Sequence, residues 1–215
     1  MRNLKLAFRT LFKTPFVTSV AIISLALGIG ANAAIFSLFD EMLLRPLPVS
    51  HPEQLVSLKN PGPKPGSQSC NQAGDCDEVF SYAMFRDLER AKTPVTLAAH
   101  RLFSANVAYD GQTLNGDGML VSGSYFPLLG LQPALGRLFT PEDDNTIGGN
   151  YAAVLSYGYW ETHLGAARDV VGKPIVVNGN SFTVIGVAPR DFTGTTAGTR
   201  PMLFVPLTMR PAVRD

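Results

Sequence analysis

An uncharged run of 25 residues, from Pro15 to Phe39, constrains this chain more than any other feature of its sequence. At about 1.5 Å per residue, a helix of this length exceeds the roughly 30 Å hydrocarbon core of a bilayer. Basic residues precede the run and acidic residues follow it, namely Arg2, Lys5, Arg9 and Lys13, then Asp40 and Glu41. The positive-inside rule therefore predicts one transmembrane helix in the lipid bilayer, with residue 1 in the cytoplasm and everything after Glu41 outside.

The same run has a competing interpretation as a secretion signal that is cleaved at Ala31-Asn32-Ala33. Apolar residues resume after that point, and the apolar part of a signal is normally only about 7 to 15 residues long. The length therefore favours a retained helix over residues 15–39. Residues 1–14 repeat apolar side chains at helical spacing and predict a basic amphipathic helix on the inner membrane surface, or merely a charged flank that fixes the topology.

Small residues recur four positions apart inside the predicted span, on two sides of the helix. Such spacing lets helices approach closely in lipid, and a lone amide at membrane depth needs a polar partner. Small residues are also simply common in membrane helices, so both interpretations stay open. The residues that we predict to pack against other membrane helices or copies are Ser24, Gly28, Gly30, Asn32 and Ala34.

The remaining residues, 40–215, predict one α+β domain, because strands dominate and do not alternate regularly with helices. Strands are predicted at 53–59, 95–109, 113–121, 152–155, 175–177, 182–187 and 202–206, and helices at 81–91, 122–130 and 156–164. Asp110-Gly111 and Asn178-Gly179 predict tight hairpin turns. The predicted core comprises Phe126, Leu128, Leu131, Trp160, Ile175, Val177, Val184, Ile185, Val187 and Phe204.

Two further groups of residues are candidates for a structural or binding role. Cys70 and Cys76 are the only cysteines and lie in a loop rich in Gly, Asn, Asp and Ser. Outside the cytoplasm they would form a small-loop disulfide, and otherwise they are two free thiols. Tyr157, Tyr159 and Trp160 cluster on a short predicted helix and predict a partner surface, although core packing is the favoured fate of Trp160.

No motif for catalysis, a cofactor or a metal is found. His51, His100 and His163 share no metal spacing, and the acidic run Glu142 to Asn145 lacks the pattern of a calcium loop, so we expect it to be a solvated loop. Gly172-Lys173-Pro174 lacks the spacing and the hydroxyl of a phosphate-binding loop. A net charge of +1 makes nucleic acid an unlikely partner.

Several segments together resemble the amino-terminal part of MacB/FtsX-type ABC transporter permeases, especially the orphan permeases of acidobacteria. They are the basic start and apolar run through LFDEMLLRPLP, then PEQLVSL, VSGSYFPLLGLQPALGRLFTPEDD, AVLSYGYWETHLG and VVGKPIVVNGNSFTVIGVAP. These segments cover nearly the whole chain in the same order. The resemblance implies a first transmembrane helix in the bacterial inner membrane, followed by a MacB-like periplasmic core domain over residues 40–215.

The resemblance also implies how such a protein works. Permeases of this type couple ATP hydrolysis by a separate ABC ATPase subunit to movement of the periplasmic domain. That movement serves efflux, lipoprotein transport or control of cell-wall hydrolases, with a periplasmic adaptor or envelope protein as partner. Since the family has three more membrane helices, this chain is expected not to transport alone. The alternative is a membrane-anchored or secreted binding module.

Overall fold

The computed structural model describes residues 13, 15–39, 47–60, 79–91, 93–196 and 198–213. The chain divides into two compact units, Met1–Pro46 and Leu47–Asp215. The first unit contains helix α1, Pro15–Phe39, and the second contains a mixed domain of strands and short helices. An apolar helix followed by an α+β domain is therefore confirmed, whereas the predicted basic helix over residues 1–14 lies almost entirely outside the described residues.

The second unit alternates short helices with strands of very different length. Its α-helices are α2 (Tyr82–Arg90), α3 (Tyr125–Leu129) and α4 (Tyr157–His163). Its strands are β1 (His100–Tyr109), β2 (Gln112–Val121), β3 (Leu135–Gly136), β4 (Ala152–Leu155), β5 (Pro174–Val177), β6 (Asn180–Val187) and β7 (Leu203–Pro206). Short 3-10 turns lie at Pro52–Gln54, Pro141–Asp144, Arg168–Val170 and Leu207–Ala212.

Local sequence signals place most of these elements. The hydroxyl of Ser81 accepts a hydrogen bond from the backbone N–H of Met84 at 3.3 Å and so caps α2. Ser156 caps α4 in the same way. Both predicted hairpin turns are present, and the first of them has positive φ angles at Asp110 and Gly111, as a tight two-residue hairpin loop requires.

The strand pairings close into a ring. In the order β4, β6, β5, β1, β2, β7 and back to β4, each strand is hydrogen-bonded to the next, and β3 lies outside the ring on β6. A sheet that closes on itself leaves few unpaired strand edges. Alternate residues of each strand therefore face the inside of the ring, where they are removed from water.

Two hydrophobic clusters fill the inside and one outer face of this ring. The inner cluster takes side chains from all six strands, together with Phe85 of α2 and Tyr159 and Trp160 of α4. The second cluster lies on the opposite face of β2, β4 and β7, where α3 and the segments after it cover it. Phe126 of α3 makes edge-type ring contact with Phe204 of β7 in this second cluster.

Seven of the ten predicted core residues are buried, and the other three are half-buried. Leu128, Leu131 and Ile185 pack against the margin of the second cluster. For Ile185 the reason is a bulge, because the register between β4 and β6 shifts at Val154 and leaves one extra residue in β6. The extra residue moves the next inward side chain from position 186 to Val187.

The predicted first strand at 53–59 is wrong. Residues Pro52–Gln54 form a 3-10 turn, Leu55 has an extended backbone, and residues 56–60 pair with no strand among the described residues. Leu55 packs against the second cluster, whereas Val56 is 78% exposed and Leu58 is 51% exposed, and residues 56–59 are all exposed, so burial does not alternate along the segment. Sequence alternation therefore predicted a strand that the structure does not contain at these residues.

The predicted solvated loop at Glu142 to Asn145 is also wrong for its two aspartates, which are buried. Asp143 accepts two hydrogen bonds from the guanidinium of Arg137, at 2.6 and 2.9 Å, and one from the backbone N–H of Thr140. Asp144 accepts hydrogen bonds from the backbone N–H groups of Thr208 and Gly123. The carboxylates thus connect three distant segments of the chain.

The two neighbouring carboxyl groups respond to these surroundings in opposite directions. Burial raises the pKa of Asp144 above its ordinary value, and the hydrogen bonds that it accepts offset this only in part. Burial also opposes ionisation of Asp143, but the hydrogen bonds from Arg137 and Thr140 outweigh it and lower the pKa of Asp143. Asp143 is therefore ionised more readily than a free aspartate, and Asp144 less readily.

Replacing Asp144 tests its connecting role. Asp144→Ala leaves the buried N–H groups of Thr208 and Gly123 without an acceptor, and we expect it to lower the free energy of unfolding by about 2 to 3 kcal/mol. Urea unfolding of the full chain in detergent, followed by fluorescence of the single tryptophan Trp160, measures this change. Glu142→Ala is the matched control, since Glu142 is exposed. Equal stability of the two variants would contradict this role.

A second prediction concerns the inside of the ring. A Cβ atom at Gly118 of β2 would overlap the ring of Phe103 on β1, whereas a Cβ at Gly158 of α4 meets no atom within 4 Å. We expect Gly118→Ala to lower the unfolding free energy by about 1 to 3 kcal/mol through overpacking. In contrast, Gly158→Ala should leave it unchanged or raise it by up to about 1 kcal/mol. The same urea unfolding measurement separates the two variants.

Candidate functional site

Helix α1 has the length and composition of a membrane span. Its most apolar stretch, Pro15–Ser37, has a mean hydropathy of 2.0, and no part of that stretch is buried among the described residues. Large apolar side chains such as Phe16 and Leu27 are 81% and 68% exposed. A helix with such a surface is stable in an apolar environment such as the interior of a bilayer.

The small residues of α1 lie on its surface with open space beside them in the part of the chain that the structure describes. A Cβ atom added at Gly28 or Gly30 would meet no atom within 4 Å, and Ser24, Asn32 and Ala34 are exposed. The structure therefore places these five residues on an uncovered helix. Their predicted packing against other membrane helices remains a prediction.

Helix α4 carries the predicted aromatic surface, and the structure divides it in two. Tyr159 and Trp160 belong to the inner hydrophobic cluster, with exposed fractions of only 7% and 8%. The indole Nε1 of Trp160 also donates a hydrogen bond to the carbonyl of Ala167 at 2.9 Å. Burial leaves little of Tyr159 and Trp160 for a partner to contact.

Tyr157 is the half-buried member of the three aromatic residues. The guanidinium of Arg190 lies over its ring, 5.6 Å from the centroid, and also lies 3.8 Å from the carboxylate of Glu161. Tyr157 and Glu161 lie on the outward-facing side of α4, and Arg190, from the segment after β6, lies over them. Sequence reasoning missed Arg190 because it is remote from α4 in the chain and carries no motif.

The chain enters the core domain at a fixed contact. The side chain and the backbone N–H of Ser50 donate hydrogen bonds to the carbonyls of Gly130 and Leu129, at 3.2 and 3.4 Å. Val49 packs beside them against the second hydrophobic cluster. The segment that begins the core domain is therefore attached to the end of α3 rather than loose.

The last described residues are held as firmly. The amide Nδ2 of Asn178 donates to the carbonyl of Val213 at 3.0 Å, and that of Asn180 donates to the carbonyl of Ala212 at 2.7 Å. Asn178 also joins this end to β1, since its Oδ1 accepts from the backbone N–H of Asn106 at 2.7 Å. The predicted turn at Asn178-Gly179 thus also anchors the last described residues, which its sequence signal did not predict.

The titratable groups give no sign of a catalytic or metal centre in the part of the chain that the structure describes. No group of three or more His, Cys, Asp or Glu residues there could hold a metal ion. His100 lies beside Tyr125 and Thr196, and burial lowers its pKa. Cys70 and Cys76 lie outside the described residues, so the disulfide remains a prediction.

Comparison with protein families identifies this architecture. Residues 18–214 match the family model of the MacB-like periplasmic core domain, which is nearly the whole chain. The chain therefore belongs to the family of MacB-like periplasmic core domains, and its relatives are permease components of ABC-type transporters. The predicted resemblance is confirmed at the level of the family.

Two solved structures align with this chain at low sequence identity. The extracellular domain of the noncanonical ABC-type transporter YknZ from Gram-positive bacteria aligns with a TM-score of 0.50 at 21% identity, over 62% of this chain and 65% of that one. The periplasmic region of MacB from Actinobacillus actinomycetemcomitans aligns with a TM-score of 0.48 at 20% identity, over 59% and 54%. The alignments thus span about half to two thirds of those domains. A search of curated proteins finds no significant match.

A pair of substitutions separates the two roles that the aromatic residues of α4 could have. Trp160→Ala removes a buried side chain, and we expect a loss of about 3 to 5 kcal/mol in the free energy of unfolding. Tyr157→Ala should cost less than about 1 kcal/mol because its ring is half-buried. Thermal unfolding of the full chain followed by circular dichroism measures both. A Trp160→Ala protein of unchanged stability would instead favour a partner surface.

Proposed function

We propose that this protein is a membrane permease component of an ABC-type transporter, whose periplasmic domain relays ATP-driven movement to partners in the cell envelope. The observation that supports this most is the combination, in one chain, of an uncovered apolar helix and a MacB-like periplasmic core domain. An enclosed catalytic site plays no part in the proposal. We expect the permease to act in efflux, in lipoprotein transport or in the control of cell-wall hydrolases.

The charges that flank α1 support its orientation. The cationic residues on the amino-terminal side remain in the cytoplasm by the positive-inside rule, and the acidic pair Asp40 and Glu41 follows the helix. In this orientation α1 spans the bacterial inner membrane, and residues 40–215 form the periplasmic domain. The periplasm is an oxidising compartment, in which Cys70 and Cys76 would be able to form a disulfide.

The core domain has the mechanical properties that a relay needs. Its closed ring of strands is packed on the inside, and packed cores resist deformation. Both the first segment of the domain, at Ser50, and its last described segment, at Val213, are hydrogen-bonded to this ring or to the helix that covers it. These contacts support the proposal that a displacement applied at either end is passed to the whole domain.

Energy for the movement would come from a separate subunit. The chain carries no phosphate-binding motif, and the only cofactor in the proposal is ATP bound by an ABC ATPase. We propose that α1 joins other permease helices or copies through its small residues, and that this helical assembly contacts the ATPase. The envelope partner would bind the periplasmic domain.

The proposal is tested by affinity purification of the full chain from membranes of its own host under mild detergent. We expect an ABC ATPase to co-purify, and its ATPase rate to change when the chain is present at saturating concentration. Purified core domain with an envelope ligand bound, and no ATPase in any membrane preparation, would favour the alternative of a membrane-anchored binding module.

Substitution at Gly30 tests the role of α1. Gly30→Leu places a large side chain where close helix approach needs a small one, and we expect less ATPase and permease partner to co-purify. Ile29→Leu is the matched control, because it keeps the volume and hydrophobicity of an exposed neighbour. Tryptophan fluorescence should show a folded core domain in both variants. Unchanged co-purification with Gly30→Leu would remove the packing role.

A further inference from the structure

Strand β1 has a strand on both of its sides over only a small part of its length. β2 pairs with the whole of β1, whereas β5 pairs only with Val107 and Ala108. Over residues 100–106, no strand among the described residues lies on the second side of β1. This gap in the ring lies next to the turn at Asn178-Gly179, where β5 ends.

The side-chain amide of Asn178 occupies the first part of this gap. In a regular antiparallel ladder, the residue after Val177 would exchange two backbone hydrogen bonds with Asn106. One of them is present, from the N–H of Asn178 to the carbonyl of Asn106 at 3.0 Å. The other is replaced, because the N–H of Asn106 donates to the side-chain Oδ1 of Asn178 at 2.7 Å.

The nitrogen of the same amide bonds the next group along β1. The Nδ2 of Asn178 donates to the carbonyl of Ser104 at 3.0 Å, and this carbonyl points to the same side of β1 as the N–H of Asn106. Asn178 has a φ angle of 47°, as its turn requires, so its main chain leaves β1 while its side chain remains beside it. One side chain thus bonds two groups of β1 that would otherwise need a strand.

The segment after β7 is attached to the same amide. Residues 207–213, here called the strap, form a 3-10 helix followed by Val213, whose side chain is 2% exposed and belongs to the inner hydrophobic cluster. The Nδ2 of Asn178 donates to the carbonyl of Val213 at 3.0 Å, and the Nδ2 of Asn180 donates to the carbonyl of Ala212 at 2.7 Å. The amide of Asn178 therefore joins β1, the β5–β6 turn and the strap.

The two halves of the strap are held in different ways. In the first half, the backbone N–H and C=O of Thr208 are both hydrogen-bonded to the loop before β4, at 2.8 and 3.0 Å. In the second half, residues 210–213, no backbone–backbone hydrogen bond to another segment is found among the described residues, and Pro211 has no N–H to donate. The second half is therefore held by two asparagine side chains and by the burial of Val213.

We propose that residues 210–213 open separately from the rest of the core domain, and that the side-chain amide of Asn178 controls this opening. Segments that few main-chain hydrogen bonds hold in place open locally at a lower free energy than the whole domain. Opening breaks the hydrogen bond to Val213 and removes its side chain from the inner cluster, while β7 and the first half of the strap stay in place. It thereby uncovers an apolar site at the gap beside β1.

Labelling of a buried cysteine measures this opening in the full chain in detergent, with Cys70→Ser and Cys76→Ser in place. Val213→Cys keeps the backbone carbonyl that Asn178 binds, and reports opening of the strap. Val205→Cys lies on β7 in the same hydrophobic cluster, and reports unfolding of the ring. Rates that are proportional to the concentration of the thiol reagent reflect the population of the open form. We expect labelling at position 213 to be at least about tenfold faster than at position 205.

Two perturbations of the whole ring test whether the strap opens separately. Low concentrations of urea should speed labelling at position 205 steeply and at position 213 little, because opening of four residues exposes little surface. Gly118→Ala strains the ring equally whether the strap is closed or open, since the clash with Phe103 persists in both states. We expect it to speed labelling at position 205 by about 5- to 100-fold and to leave labelling at position 213 unchanged.

Asn178→Asp tests the role of the amide. At neutral pH it keeps the acceptor for the N–H of Asn106, but it replaces the donor to Ser104 and Val213 with a carboxylate oxygen that repels both carbonyls. The hydrogen bond to Val213 is the one that opening breaks. Its loss should speed labelling of Val213→Cys by about 3- to 10-fold.

Asn115→Asp is the matched control. Asn115 lies opposite Asn106 on β2, is exposed, and accepts from the Nδ2 of Asn106 through its Oδ1, which an aspartate retains. It adds the same charge near β1 and should not change labelling at position 213. Asn178→Gly is a second variant without added charge, because glycine readily adopts the positive φ angle of this turn. It should speed labelling as Asn178→Asp does.

The experiment needs no ATPase or transport, so its outcome is independent of the proposed function. Faster labelling at position 213, insensitivity to urea and Gly118→Ala, and acceleration by both Asn178 variants support separate opening under control of the amide. Equal acceleration of positions 205 and 213 by urea or by Gly118→Ala means that the strap opens only with the whole domain, and overturns the inference. Asn178 variants that are labelled no faster than Asn115→Asp overturn the role of the amide. Trp160 fluorescence checks that each variant is folded.

Discussion

Closure of the strand ring is the constraint on which the rest of the core domain depends. It fixes which residue of each strand faces inward, because a shift of one residue would turn every apolar side chain outward. It explains why Gly118 lies beneath Phe103, where no side chain fits. It also explains the bulge in β6, which adjusts one strand to both β4 and β3. Helices α2 and α4 then complete the inner cluster.

Local signals in the sequence predicted most of the helices, strands and turns. They did not predict which strands, distant in sequence, pair with each other. Caps at Ser81 and Ser156 and the turn at Asp110-Gly111 are encoded within a few residues, and the structure contains them. Partner choice is not encoded locally, so the segment after Gln54 was predicted as a strand although it pairs with no strand among the described residues. The ring itself could not be inferred, because alternation reveals a buried face and not the neighbouring strand.

The candidate site, too, could be predicted only where it depends on residues close together in the sequence. Length and hydropathy were sufficient to predict α1, and its small residues could be named from their spacing alone. Arg190 over Tyr157, and the anchoring of the last residues by Asn178 and Asn180, depend on residues that approach only after folding. An asparagine in a hairpin turn is ordinarily attributed to the positive φ angle that the turn requires. The sequence therefore gives no separate signal for the contacts of its side chain.

The adjacent carboxyl groups at positions 143 and 144 give the loop between Thr140 and Asn150 an unusual response to acid. The raised pKa of Asp144 means that protonation there favours the folded state, so stability increases as the pH falls toward the ordinary aspartate pKa. The lowered pKa of Asp143 has the reverse effect, and stability is lost only below that ordinary value. Together the two directions place the greatest contribution of this pair to folding near the ordinary aspartate pKa, so mild acid strengthens these contacts instead of weakening them.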